Sequence, residues 1–387
     1  MVEVFSIANE TLDSLDLKFL LLAHGVHIHE DVYAGFSSTH RISPDPYQCN
    51  GLILPDQTVV HIADIGPGAR FHLAVRPDGN LQLLHQGESV TEVSLPKASD
   101  FYSRTTAGGV PFRGLAVLEG HDMLAFPYLW ACGYAFGDMA CKFCHCGIYT
   151  QARRDAGDGQ WNHSFKPDDV AEAVERAVRV EGAAKHIELT GGSTFGADGE
   201  CRQMTEVLHA IDRKVGRTNI PGSINVYTTP PMNPSAVDAL FDAGADRVSC
   251  NIEVWDESIA GRVMPGKSRW TGRQRHLDTL LHIAQTRGAG KACCTFVAGL
   301  EPAESLLAGA RQLAENGIVP LASVLMPHGL PDIPRAVKPD LPYFRALKRG
   351  LAAIYRKYQC EPPGGGGSHV AISRDVWNHR DEILAAC

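Results

Sequence analysis

Four cysteines crowd one stretch of the chain, WACGYAFGDMACKFCHCGIY (130–149): Cys132, Cys141, Cys144 and Cys146. Thiols this close together serve as packed core residues, a disulfide, zinc ligands or iron–sulfur ligands, and spacing with context separates those uses. A zinc site ordinarily draws on two separated ligand pairs, and no second C-x2-C or H-x3-H pair is evident downstream. Three thiolates from one loop suit a [4Fe–4S] cluster, because they leave one iron open to a cofactor or substrate. Buried thiols without metal and a zinc site stay open as alternatives. So does the part of Cys146, which is a bystander, a substitute ligand or a sulfur donor.

Other residues could do chemistry nearby. Glu253 falls at the C-terminal end of an apolar strand, where it is either a functional carboxylate or one half of an ion pair with Arg262 or Lys267. His328, in LMPHG, is a candidate general acid/base or a plain loop histidine. Tyr134, Tyr149, Tyr227, Glu253, Trp255, Arg262, Lys267 and His328 form a mixed aromatic and charged set that would suit a small polar, anionic metabolite. Cys293 and Cys294 are adjacent on a strand and read as packing residues. The glycine run 364–367 lacks the Lys-Ser/Thr of a phosphate loop and reads as a flap over the site.

These residues have to be positioned by regular elements. Apolar strands at 123–131, 186–190, 223–228, 247–254, 291–299 and 319–326 alternate with helical patterns at 167–180, 202–215, 233–244, 270–288 and 303–317. Such alternation predicts parallel βαβ units closed or nearly closed into a barrel, with chemistry at the C-terminal ends of the strands. Cys132 ends the first of these strands. Residues 1–120 read as a β-rich N-terminal extension with a Pro-Asp-Gly turn at 77–79, residues 121–335 as the barrel, and 336–387 as a C-terminal helix (342–357), the flap and a tail.

The whole chain sets limits. With 387 residues, 44% hydrophobic and 21% charged, it has the composition of an ordinary globular protein. The run FLLLA (19–23) is too short to span a bilayer, and no secretory leader is evident, so the expected location is the cytoplasm and no membrane partner is expected. Eleven cysteines in a reducing compartment are not a disulfide framework: clustered ones indicate metal or redox chemistry and scattered ones core filling. A net charge of −8 without long basic runs argues against nucleic acid and for a small-molecule or protein substrate.

The cysteine loop resembles the radical S-adenosylmethionine (SAM) superfamily, whose usual signature is C-x3-C-x2-C with an aromatic residue before the last Cys. CKFC (141–144) supplies the end of that signature, with Phe143 in the aromatic place and the first interval stretched to eight residues after Cys132. ELTGGSTF (188–195) looks like the family's second-strand motif that holds the SAM amino group, through Gly191, Gly192 and Ser193, with Ser193 where Glu is usual. NIEVWDE (251–257) and the helix of RWTGRQRHLDTLLHI (269–283) are similar to the biotin-synthase branch. That similarity implies Asn251 and Glu253 as polar contacts to the SAM ribose or substrate, and Arg273 or Arg275 as the clamp on its carboxylate. TFVAGLEP (295–302) resembles the adenine motif, with the acid displaced to Glu301.

FYSRTTAGGVPF (101–112) and IAGRVMPGKS (259–268) look like the branch that includes the radical SAM protein of nitrilase-containing gene clusters. The resemblance implies an α/β fold, a partial (β/α)6 TIM-like barrel. It implies a [4Fe–4S] cluster on Cys132, Cys141 and Cys144 with SAM as cofactor, and a flavodoxin- or ferredoxin-type electron donor. The implied activity is reductive cleavage of SAM to a 5′-deoxyadenosyl radical that abstracts hydrogen from a small metabolite in cofactor or natural-product biosynthesis. Aminocarboxypropyl or methyl transfer from SAM and a non-catalytic metal-binding regulatory role are the alternatives. No cobalamin-binding D-x-H-x-x-G stretch appears.

Overall fold

Parallel strands buried on both faces read as unbroken apolar runs, and the run ACCTFVA at Ala292–Ala298 is buried at every position but Val297. In the computed structural model, which describes residues 4–7, 10–37, 40, 50–96, 99–129, 132–144, 165–194, 197–326, 340–364 and 371–386, that run is the last strand but one of the barrel wall. The strands in chain order are β1 (Val4–Ile7), β2 (Glu10–Asp13), β3 (Val26–Ile28), β4 (Asn50–Ile53), β5 (Val59–Ile62), β6 (Phe71–Val75), β7 (Leu81–His85) and β8 (Glu88–Val93). There follow β9 (Val117–Glu119), β10 (Met123–Leu129), β11 (His186–Gly191), β12 (Ile224–Tyr227), β13 (Arg247–Ser249), β14 (Ala292–Ala298) and β15 (Val319–Val324).

The last seven make one sheet in the spatial order β15–β14–β13–β12–β11–β10–β9. Strands β10 to β15 are parallel neighbours in sequence order, the six-stranded partial barrel expected from the alternation. Strand β9 adds an antiparallel edge that the pattern does not reveal, because three residues carry no period. Helices Ala197–Val215, Asp238–Asp242, Arg273–Arg287 and Ala303–Glu315 connect the strands as read from the sequence. The 167–180 segment begins as the helix Pro167–Val174 and ends in a π-helical stretch, Glu175–Val180.

One strand is much shorter than expected. The apolar run 247–254 stays in regular pairing only to Ser249. Beyond it the Asn251 side chain accepts the Thr295 N–H (3.0 Å) in place of a backbone carbonyl, and the backbone at Glu253 turns to φ +67°. The chain then rejoins β14 through Glu253 N–H to Thr295 O (3.0 Å) and Val297 N–H to Glu253 O (2.8 Å).

The N-terminal part holds a four-stranded sheet, β3–β6–β7–β8, and two hairpins, β1–β2 and β4–β5. The Pro-Asp-Gly turn joins β6 to β7, with Gly79 at φ +87°. Two helices, Ser14–His24 and Glu30–Phe36, also lie there, in a region the sequence pattern marks as β-rich. The first is capped by Asp13 on the Asp16 N–H (2.8 Å) and is buried nearly all round, so it shows no one-sided period. It packs on the C-terminal helix Leu341–Tyr358, where Phe19 stacks on Phe344 with centroids 4.9 Å apart.

Buried charges tie the two ends: Lys18 to Asp375 (2.8 Å), and Lys348 to both Asp13 and Asp16 (2.6 Å each). Removing one partner of such a pair costs about 3–5 kcal/mol. Past this helix, Ala371 pairs with Ser323 and Ser373 Oγ accepts the Ala322 N–H, which sets the C-terminal segment along the free edge of β15. No helix among the described residues is long and apolar enough to cross a membrane.

Candidate active site

The cysteine loop leaves β10 and lies across the C-terminal ends of the barrel strands. The Gly133 N–H donates to Ser193 O (2.7 Å), joining this loop to the one after β11, and the Lys142 N–H donates to Val263 O (2.8 Å). Cys141 and Phe143 pack on a small apolar cluster that includes Val254, Ile259, Val263, Met264 and Leu325. The seat is close: a Cβ on Gly266 would fall 2.6 Å from Met139 O and 2.8 Å from Met139 Cβ. Tyr134, 3% exposed, shares a hydrogen bond of 2.6 Å with Thr271 and so braces the loop.

Cys132, Cys141 and Cys144 are all partly exposed here. Burial, with Cys144 and Cys132 close by, pushes the Cys141 thiol well above the ordinary thiol range, against the nearby Lys267 ammonium. The other described cysteines, Cys201, Cys250, Cys293, Cys294 and Cys360, are buried, in keeping with core filling.

Lys267 opens a π-helical turn, Lys267–Thr271, between helices Glu257–Val263 and Arg273–Arg287. Its Nζ reaches Glu253 Oε1 at 2.9 Å, with side chains 12% and 17% exposed. Burial alone would pull the Lys267 ammonium down, but Glu253 and Cys141 hold it above its ordinary value. The ion pair offered as one reading of Glu253 is therefore present, and its partner is Lys267. Arg262 instead donates to Ser258 Oγ (2.8 Å) at the surface.

Three adjoining cavities surround this pair. One, about 80 Å³, is lined by Gly191, Gly192, Ser193, Asn251, Glu253 and Lys267, among others. Thr190, Tyr227, Asn251 and Glu253 also line a cavity of about 260 Å³ inside the barrel, together with Glu119, Glu188 and Arg374. Lys267 and His276 are shared with a third, of about 490 Å³, which Arg273 lines. Asn251 and Glu253 thus face the same cavities, from an irregular backbone in place of the strand expected over 247–254.

The barrel interior is acidic, with Glu119, Glu188 and Glu253 lining it. Burial, with Glu119 beside it, pushes the Glu188 carboxyl up to about 8, against a hydrogen bond with Tyr227. Burial, with Lys267 nearby, pushes His276 down to about 3. His276 Nδ1 lies 2.8 Å from the Gly272 carbonyl, so Nδ1 carries the proton. That leaves Nε2 a buried acceptor without a partner among the described residues.

Several candidates have other work. Arg273 stacks on the Trp255 ring (4.3 Å to its centroid), donates to Trp255 O and pairs with Glu257 (3.1 Å). Arg275 donates to Trp270 O and Met232 Sδ. Trp255 packs against Phe296 and over Gly309 of the Ala303–Glu315 helix. Glu301, placed by resemblance at the adenine, is fully buried and accepts the Trp255 and Asp256 N–H groups (2.7 and 2.9 Å) and the Ser305 hydroxyl (2.6 Å). It pins the 253–256 bend. Cys146, Tyr149, His328 and glycines 365–367 lie outside the described residues.

Sequence reasoning misses Glu119, Glu188 and His276. Glu188 has a signal, a charge inside the apolar strand HIELT, whereas nothing marks His276 among other helix positions. Three clustered thiols, a two-glycine turn and an unpartnered acceptor at one mouth fit an iron–sulfur cluster with a polar, amine-bearing cofactor beside it.

Residues 134–332 match the Radical SAM superfamily. Similar solved structures include methylornithine synthase (PylB), with 11% identity over 62% of this chain and 64% of the other, TM-score 0.41. Coproporphyrinogen III oxidase (HemN) from Escherichia coli is matched at 15% identity over 58% and 51%, TM-score 0.34. The [FeFe]-hydrogenase maturase HydG is matched at 14% identity over 68% and 54%, TM-score 0.41. In each case the chain spans less than two thirds of the other protein. No curated protein sequence matches it.

Proposed function

Because the chain belongs to the radical SAM superfamily, whose enzymes use a [4Fe–4S] cluster and SAM, we propose that Cys132, Cys141 and Cys144 hold the cluster above a barrel that receives a small polar metabolite. When bound, cluster and SAM supply a 5′-deoxyadenosyl radical that takes hydrogen from the substrate. A flavodoxin- or ferredoxin-type protein supplies the electron.

This chain's residues bind, orient and shield. The backbone of Gly191 and Gly192 and the Ser193 hydroxyl receive the SAM ammonium. Asn251 and Glu253 take its ribose hydroxyls or the substrate, and Phe143 walls the cofactor side. Of the two candidate clamps we favour Arg273 over Arg275, since Arg273 lines the cavity that shares Lys267 and His276 with the glycine turn. Lys267 holds the Glu253 side chain in place through their 2.9 Å ion pair. Inside the barrel Glu188 holds a proton at neutral pH, beside Tyr227, as a hydrogen-bond donor to the substrate.

The observation that carries this reading is Glu253, which lines both the glycine-turn cavity and the barrel interior while its partner Lys267 borders Cys141. The test is anaerobic reconstitution with iron and sulfide, then incubation with SAM and dithionite. The expected product is 5′-deoxyadenosine. Methylthioadenosine or S-adenosylhomocysteine in its place would assign group transfer, and no SAM turnover by the cluster-loaded protein would overturn the reading.

A further inference from the structure

A second cluster of chemical groups lies outside the barrel, in the N-terminal sheet. In β3 Val26 and Ile28 point into the core, so His27 faces the other way, and His29 follows two residues on along the same face. Strand β6 lies parallel to β3 with His72 in register with His27. On the other side of β3 the chain 63–65 runs alongside, Val26 bridging to Asp64. Strand pairing sets His27 beside His72, and the side chains of His29 and Asp64 close on them.

The geometry of the cluster is close. His29 Nε2 lies 3.1 Å from His72 Nδ1, His27 Nδ1 lies 3.6 Å from Asp64 Oδ1, and one ring nitrogen from each histidine falls within 4.8 Å of the others. His72 Nε2 lies 3.0 Å from the Ala69 carbonyl, which can only accept, so the proton is on Nε2 and the Nδ1 lone pair faces the cluster. A metal-binding histidine is held in that way, its second nitrogen on a carbonyl. Asp64 is fixed in turn by the Tyr33 hydroxyl (2.7 Å) and the Gly66 N–H (2.9 Å). All three histidines are partly exposed, so an ion can enter.

We propose that His27, His29 and His72 form a binding site for a divalent transition metal of the zinc class, with Asp64 orienting the His27 ring or closing the fourth position. Three imidazoles with one further oxygen or water position suit Zn2+, Ni2+ or Cu2+ rather than Mg2+ or Ca2+. The site is separate from the cysteine loop and does not depend on the SAM reading.

The test uses the full chain with its iron–sulfur site reconstituted, dialysed against Zn2+ alone. The expected result is about one Zn2+ per chain, lost in His72→Gln and in His29→Gln while iron content and 5′-deoxyadenosine formation stay unchanged. Asp64→Asn should weaken binding on the order of ten- to a hundredfold. Co2+ added to the wild type, which needs no variant to fold, should give visible d–d bands without thiolate-to-cobalt charge transfer. Absence of bound Zn2+, retention of Zn2+ in both histidine variants, or a thiolate charge-transfer band would each overturn the proposal.

Discussion

Glu253 and Lys267 meet at 2.9 Å across fourteen residues of chain, and the glutamate reaches the lysine from a left-handed backbone at φ +67°. A side chain other than glycine in that region costs about 1–2 kcal/mol. The two hydrogen bonds to β14 and the Glu301 pin on the next turn hold the bend in place. Strain kept at a residue that lines two cavities and pairs with the lysine beside Cys141 is where a functional carboxylate would be stored.

Glu253→Gln preserves the shape but removes the charge facing Lys267. Losing a charge-assisted hydrogen bond of this kind costs about 1.5–3 kcal/mol, which corresponds to roughly ten- to a hundredfold in SAM affinity or turnover. Iron content should stay at the wild-type level. Calorimetric SAM binding and 5′-deoxyadenosine yield check this, and wild-type values for both would remove Glu253 from the cofactor site.

Gly266→Ala tests the seat of the cysteine loop. The added Cβ meets backbone at Met139 O, 2.6 Å away, so the loop between Cys132 and Cys141 must shift. Iron retained after reconstitution should fall and its loss in air should quicken, with the thermal midpoint little changed. Full, air-stable loading would show that the loop's position on this helix does not matter to the cluster.

The barrel is legible in the sequence because its parallel strands are apolar throughout and its helices carry a buried stripe, as in Ala303–Glu315. The cysteine loop stands out in the sequence by the crowding of its thiols, and its expected ligand set comes from the family resemblance. The bend at 250–254 is not, since NIEV has strand composition and only the tertiary bonds of Asn251 and Glu301 divert it. The roles of Trp255 and Glu301 are hidden for the same reason: packing over Gly309 and capping a bend leave no local pattern. The histidine cluster joins residues forty-three apart through strand register, which one-dimensional spacing does not display.

Glu188 sets a pH dependence of stability. Unfolded, it ionises near 4.5, and folded it is pushed up to about 8 by burial and by Glu119. Between those values the folded chain binds the extra proton, so this group makes stability fall as pH rises through that window. Glu188→Gln should therefore match the wild type below the window and exceed it above. The gain is up to a few kcal/mol, since each pH unit crossed inside the window contributes about 1.4 kcal/mol. Urea unfolding at both ends of the window reads this out, and a variant less stable above the window would show that Glu188 is held ionised.

Cys132, Cys141 and Cys144 as the ligands of a [4Fe–4S] cluster are the centre of this account, and single Cys→Ala variants test them most directly. Iron and acid-labile sulfide are measured per chain after anaerobic reconstitution. The expected result is about four of each in the wild type and in Cys146→Ala, and little of either in Cys132→Ala, Cys141→Ala and Cys144→Ala. A full cluster in Cys132→Ala, with its loss in Cys146→Ala, would contradict the assignment.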